Sequence, residues 1–283
     1  MSSNPESRIP NPGATIAFIG GGNMARSLIG ALVGAGVDAS SIAVAEPNDA
    51  LREALARDFG VATYAENAAA AAGAGTIVLA VKPQVMREVC ADVGRAIGDA
   101  EPLVVSIAAG IRMDQIAAWL GRSLPIVRAM PNTPALVGAG ATGLVANAHV
   151  DAGGKSRAEA ILGTAGRTAW IDDEALMDTV TALSGSGPAY FFLLVEALED
   201  AAVAGGLSRE TARLLASQTC LGAGRMLAES GEAPARLRER VTSPGGTTAA
   251  ALAAFDAGGF RALVASAVEA ATKRGRELSA RDA

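Results

Sequence analysis

Aromatic side chains make up only 4% of the 283 residues, cysteine occurs twice and histidine once. Two cysteines, Cys90 and Cys220, exclude a disulfide framework and a cysteine metal cluster. They read as two buried thiols of a reduced cytoplasmic enzyme. The lone His149 cannot complete a multi-histidine metal site, and its polar surroundings from Asn147 to Asp151 read as loop, so no metal is expected. Basic excess is lacking as well: the formal net charge is −5, which argues against nucleic acid or an acidic membrane surface as a partner. Long apolar runs are also missing. Ala68 to Val81 is too short to span a bilayer, and Ala129 to Val150 is broken by Pro131, Asn132, Pro134 and several glycines. Residues 1–13 contain no apolar block and read as a flexible tail rather than a signal peptide. These absences together point to a soluble protein.

What the chain does contain is apolar bulk and glycine: 50% hydrophobic residues and 33 glycines, enough for a substantial core with tight loops. At roughly 150 residues per domain, the length suggests two domains. Short apolar runs alternate with helix-patterned segments through the first half. Strands are expected at Thr15 to Gly20, Ile42 to Ala45, Val61 to Thr63, Thr76 to Val81, Leu103 to Ser106 and Ile126 to Met130. Between them fall helices, including Asp49 to Phe59 with Asn48 as its N-cap. This alternation predicts an α/β, Rossmann-like doubly wound sheet, parallel and covered on both faces. Gly138 to Ala146 and Thr168 to Ile171 would extend the sheet at its edge. Beyond Asp172 the strand signal stops. Tyr190, Leu194, Leu198 and Ala201 recur at helical spacing with Glu196, Glu199 and Asp200 on the other side, and further helices are expected from Ser208, Thr247 and Phe260. The domains are therefore expected at 14–172, dinucleotide-binding, and 173–283, an all-α unit. The apolar stripes of that unit suggest burial against a second copy.

The segment Gly20-Gly21-Gly22-Asn23-Met24-Ala25 fits G-x-G-x-x-A between a strand and a helix. Gly20 permits the turn, Gly22 lets backbone approach a pyrophosphate, and Ala25 lets the helix pack closely; the helix N-terminus offers N–H groups to phosphates. At the end of the second strand, Glu46 can accept from ribose hydroxyls and repel a 2′-phosphate, which favours NAD(H). Alternatively, Glu46 turns outward and leaves Asn48 or Arg52 to meet the phosphate. Ala80-Val81-Lys82-Pro83 and the small residues around Ile107, Ala108 and Ala109 end later strands, where a nicotinamide ring and ribose would lie. Asn132, in the Met130-to-Pro134 loop, is placed to orient the carboxamide or the reacting ring. Two further Gly–Ser turns precede helices, Leu183 to Tyr190 and Val241 to Thr248; each reads as an anion cradle or as plain helix capping.

Taken in order, GGGNMA, AVKP, SIAAG, MPNTP, LSGSGPAY and VTSPGGTTAAAL resemble the Δ1-pyrroline-5-carboxylate reductase family from Thr15 to about Leu278. The resemblance implies an NAD(P)H-dependent imine reductase that forms L-proline, with a Rossmann domain, a helical dimerisation domain, and homodimers that can assemble into larger rings. It further implies that Gly20 to Ala25 hold the pyrophosphate, that Asn67 contacts the adenosine side, and that Ala80 to Pro83 and Ile107 to Ala109 line the ribose and nicotinamide. Ser243, Gly245, Gly246, Thr247 and Thr248 would hold the substrate carboxylate, with Thr248 also near the ring nitrogen as the catalytic residue. Where many relatives carry a small hydroxyl residue for the 2′-phosphate, this chain has Glu46, which leaves NADPH or NADH open. A related 3-hydroxyacid dehydrogenase would need a catalytic lysine, yet Lys273 is the only lysine after Lys155.

Overall fold

The computed structural model describes residues 15–281, so the expected 1–13 tail lies outside the described residues. The described residues form two compact units, one running to Gly185 and taking up the chain again from Thr272, the other Ser186–Ala271.

In the first unit, β1 (Ile16–Ile19) leads into α1 (Asn23–Gly34), β2 (Ile42–Ala45), α2 (Asp49–Phe59), β3 (Ala62–Tyr64) and the short α3 (Asn67–Ala71). Next come β4 (Thr76–Leu79), α4 (Met86–Ala96), β5 (Leu103–Ser106), α5 (Met113–Leu120) and β6 (Ile126–Met130). The expected cap on α2 is present: the Asn48 side chain accepts from the Leu51 N–H at 3.1 Å. Sheet order is β3-β2-β1-β4-β5-β6, all parallel, continued by β7 (Gly140–Ala146) and β8 (Gly166–Trp170). β7 extends the sheet at its edge as expected, and it runs antiparallel to β6, with Met130 opposite Gly143. The short link from Pro131 to Ala139 holds only a five-residue 3₁₀-helix, too little for the crossover that a parallel neighbour demands. α6 (Ala152–Leu162) does supply a crossover, and β8 is parallel to β7.

Side chains alternate across the sheet with period two. Ile16, Phe18, Ile42 and Val44 pack with Leu28, Ile29 and Leu32 of α1 and Ile161 of α6 on one face. Ala17, Ile19, Ile77 and Leu79 pack with Met86, Cys90 and Val93 of α4 and Ile116 of α5 on the other. Each fully buried large aliphatic or Phe side chain contributes roughly 1.5–3 kcal/mol, so the double layer carries this unit. Cys90 is buried as expected, whereas Cys220 is only half-buried.

The compact unit does not end near Asp172. α7 (Met177–Val180) packs on β7 and passes into a π turn at Thr181–Gly185, and both remain with the sheet. The chain rejoins this unit in the last part of its final helix, where Ser279 Oγ donates to Asp178 at 3.4 Å.

The second unit comprises α8 (Gly187–Ala204), α9 (Arg209–Glu229), α10 (Pro234–Arg240), α11 (Thr247–Ala257) and the first half of α12 (Phe260–Arg281). Ser208 caps α9 by accepting from Thr211 N–H. In the single chain the apolar positions Leu194 and Leu198 of α8 are exposed, as are Glu196 and Asp200, and only Glu199 departs from the expected pattern. Glu199 is buried and accepts from Arg209 and Arg213 of α9, each at 3.2 Å, whereas Phe191, Phe192 and Leu198 are exposed. Among the described residues no single helix is long and apolar enough to cross a membrane; α11 and α12 pass that test only as a pair bent by 54°.

Candidate active site

The parallel strands β1, β2, β4 and β5 end at one sheet edge, and each contributes a short segment there. Gly20 has φ +101°, and its N–H donates to Ala45 O at 2.8 Å. A Cβ at Gly20 would stand 2.8 Å from Ala80 O, so the β1 turn and the end of β4 are pressed together and only glycine fits. Gly21 is confined by Leu55 and Glu46, since a Cβ there would meet Leu55 Cδ1 at 2.7 Å. Gly22 differs: it is exposed, and a Cβ would enter open space. α1 begins there with no side-chain cap and no acid in its first turn. An accessible glycine followed by uncapped N–H groups at a positive helix end suits a diphosphate. Asn23 and Met24 open that helix, while Ala25 is buried against the sheet.

Glu46 follows directly on β2. It is 9% exposed, with Oε2 accepting from Gly21 N–H at 2.8 Å and Oε1 from Asn48 N–H at 3.0 Å. The outward-turned alternative is therefore not the conformation seen. Arg52 is turned onto the backbone, donating to Glu46 O at 2.7 Å and Pro47 O at 2.9 Å, and pairs with Asp49. Asn67 opens α3 beyond the end of β3, and its amide donates to Asp92 of α4 at 3.0 Å.

Ala80 N–H donates to Ile19 O at 2.8 Å, and Ile107 N–H to Leu79 O at 3.1 Å, which ties the β1, β4 and β5 exits into one edge. There Ala109 and Lys82 are exposed, Val81, Pro83 and Ile107 are half-buried, and Ala108 is buried. Asn132 is 8% exposed. Its Nδ2 donates to Ser184 O at 2.9 Å, and its Oδ1 accepts from Ala141 N–H at 2.9 Å. Its visible work is to bind the loop after β6 to the π turn and to β7. A feature not foreseen from the sequence is Arg128 on β6, 5% exposed at its side chain, paired with Glu174 at 3.0 Å. The same Glu174 oxygen accepts from Met113 N–H at 2.9 Å, so one carboxylate joins β6 to the start of α5. The signal was available: an arginine inside an otherwise apolar strand needs a partner.

In the helical unit, Ser243 to Gly246 form a turn closed by Gly246 N–H donating to Ser243 O at 3.0 Å, with Gly245 at φ +71°. Gly246 is the N-cap of α11 and carries no side chain; no acid lies in the first turn. Ser243, Gly245 and Thr247 are exposed and Thr248 is half-buried. The result is an uncapped helix end flanked by hydroxyls, an arrangement able to receive an anion. The Gly–Ser turn before α8 likewise lacks a side-chain cap, and Ser184 Oγ donates back to Val180 O at 2.9 Å.

Over 264 residues the chain is 52% identical to the pyrroline-5-carboxylate reductase of Pseudomonas aeruginosa, covering 93% of this chain and 96% of that protein. This chain belongs to the pyrroline-5-carboxylate reductase family. Residues 174–278 match the family described as pyrroline-5-carboxylate reductase dimerisation, and residues 15–110 match NADP oxidoreductase coenzyme F420-dependent. The pyrroline-5-carboxylate reductase structure from Coxiella burnetii superposes with a TM-score of 0.91 at 44% identity, covering 94% of this chain and 98% of that one. A Plasmodium falciparum pyrroline carboxylate reductase with NADP bound gives 0.81 at 30% identity, with 94% and 98% covered. As a pyrroline-5-carboxylate reductase, the chain uses a pyridine nucleotide to reduce the cyclic imine to L-proline in proline biosynthesis, and it forms a homo-oligomer through its helical domain.

Proposed function

We propose that the two uncapped helix ends divide the reaction between them. The Gly20–Ala25 turn holds the dinucleotide diphosphate, with Glu46 at the adenosine ribose and Asn67 on the adenosine side. Ala80–Pro83 and Ile107–Ala109 line the ribose and nicotinamide, behind a loop that Asn132 braces. Ser243, Gly245, Gly246, Thr247 and Thr248 take the substrate carboxylate. This assignment rests on one observation above the others: α11 starts at a glycine with no side-chain cap after a turn at φ +71°, which leaves its first N–H groups aimed at an incoming anion.

The reaction balances as imine plus hydride plus one proton giving the secondary amine. The bound dinucleotide supplies the hydride. The protein then has to fix the ring, and orientation of this kind supplies roughly 7–11 kcal/mol in favourable cases. Thr248, at the second position of α11, places a hydroxyl beside the carboxylate cradle and holds a hydrogen bond to the ring nitrogen as it becomes an amine. No arginine is required for the carboxylate. The reading further places the chain in the cytoplasm, as a homodimer that builds a larger ring, without nucleic acid or membrane partners; the net charge of −5 supports the last point.

Steady-state kinetics of Thr248→Ala test the assignment. kcat/KM should fall by the equivalent of about 1–3 kcal/mol, the cost of leaving a polar partner unpaired. Unchanged kinetics would remove Thr248 from the chemistry.

A further inference from the structure

We infer that Glu46 makes this reductase selective for NADH over NADPH, and that Arg52 is withheld from any 2′-phosphate. The inference rests on the reading of the Gly20–Ala25 turn as the dinucleotide site and extends it to the ribose.

The carboxylate of Glu46 is built into the fold. One oxygen is held by Gly21 N–H at 2.8 Å and the other by Asn48 N–H at 3.0 Å, so its two ends bridge the glycine turn and the start of α2. Its own N–H donates to Tyr64 O at 2.9 Å, which fixes the backbone as well. Turning the side chain away would strand two backbone donors, one of them in the buried Gly21. Each carboxylate oxygen has a second lone pair, so the group can still accept from the two hydroxyls of an unmodified ribose. A 2′-phosphate would instead bring up to two negative charges against a carboxylate held in place by two backbone donors.

The nearby cations do not relieve this. Arg52 of α2 donates to two backbone carbonyls and pairs with Asp49, and its side chain is only 20% exposed. Arg26 of α1 is paired with Asp58 and lies 4.9 Å over the Phe59 ring. Asp49 adds a second carboxylate at the first position of α2. The ribose end of the site is thus negative, and its guanidinium groups are already engaged.

Calorimetric titration of the full-length protein with NADH and with NADPH reads the selectivity directly, without turnover. NADH should bind about tenfold or more tightly than NADPH, a ratio within reach of one close like-charge contact. In competition, 5′-ADP should displace NADH at lower concentration than 2′,5′-ADP. Glu46→Gln keeps one acceptor and removes the charge, and Glu46→Ser removes both acceptors. In both variants the NADPH/NADH affinity ratio should rise at least tenfold, NADPH binding improving as NADH binding weakens. A purely structural role for Glu46 would instead weaken both nucleotides equally, and that result overturns the proposal. Equal or tighter NADPH binding by the unaltered chain also overturns it and leaves the glycine turn as the dinucleotide site. Failure of both nucleotides to bind would remove the glycine-turn reading and the selectivity with it. The unaltered chain and the two ADP probes decide the matter even if neither variant folds.

Discussion

Asn132 and Glu46 show how far a single side chain can be read before its neighbours are known. Both sit at the expected sheet edge, and both spend their polar atoms on backbone groups distant in sequence: Asn132 on Ser184 and Ala141, Glu46 on Gly21. A local motif names the position but not the partner, because the partner is set by tertiary approach. Cys90 is the simpler case. It lies on the apolar face of α4 and is fully buried, and burial alone pushes its thiol from 9.0 up to about 12. Because the folded value is raised, its contribution to stability is complete below pH 9. That contribution is lost as pH climbs toward 12, where the unfolded thiol ionises and the folded one does not. Iodoacetamide at pH 9 should therefore leave Cys90 unmodified in the native protein and label it in guanidinium, as mass spectrometry of the peptides would show. Labelling of native Cys90 at the rate of a free thiol would contradict the buried assignment.

At the scale of elements, Gly94 sets how closely α4 and α5 approach. An added Cβ would lie 2.3 Å from the carbonyl oxygen of Leu120, a backbone atom that cannot swing aside. Alanine has a helix propensity better than glycine by about 1 kcal/mol, yet overpacking of this kind costs about 1–3 kcal/mol. Gly94→Ala should therefore lower the free energy of unfolding in urea by up to about 2 kcal/mol, and a stabilised variant would show that α4 can move away freely. Helix packing of this sort is invisible in sequence, whereas much else was legible. β2, β5, β6 and α2 were readable nearly to the residue because apolar runs, an Asn cap and a glycine stop all agreed there. α10 escaped notice because Pro234 to Arg240 is short and mostly polar, and helicity there follows from its proline start and its tertiary setting. The antiparallel turn of β7 depends on the length of its connection, not on its composition. The expected boundary at Asp172 tracks where strands cease, close to the start of the dimerisation match at residue 174. The compact unit nevertheless runs on to Gly185, because α7 and the π turn pack against the sheet.

For the whole molecule, the sheet unit and the helical unit differ in how complete they are alone. The first buries two continuous apolar layers, with Leu136, Val137 and Leu183 left open at its surface. The second leaves Phe191, Phe192 and Leu193 of α8, with Leu214, Leu221 and Leu263, between 56% and 68% exposed, while it buries Glu199. A surface of that kind on a domain matched to the family's dimerisation model predicts that the apolar stripe of α8 is the face a second copy covers. The folded state is then tied to association, and its melting temperature should rise with protein concentration. Phe192→Glu places a charge in the middle of that face, where an unpaired buried charge is too costly to retain. Size-exclusion chromatography with light scattering should show the unaltered chain as a dimer or larger. The variant should appear as monomer and aggregate, with a lower melting temperature that no longer depends on concentration. A variant that keeps the native mass and melting behaviour would mean that Phe192 stays outside the interface and that the α8 stripe serves something other than self-association.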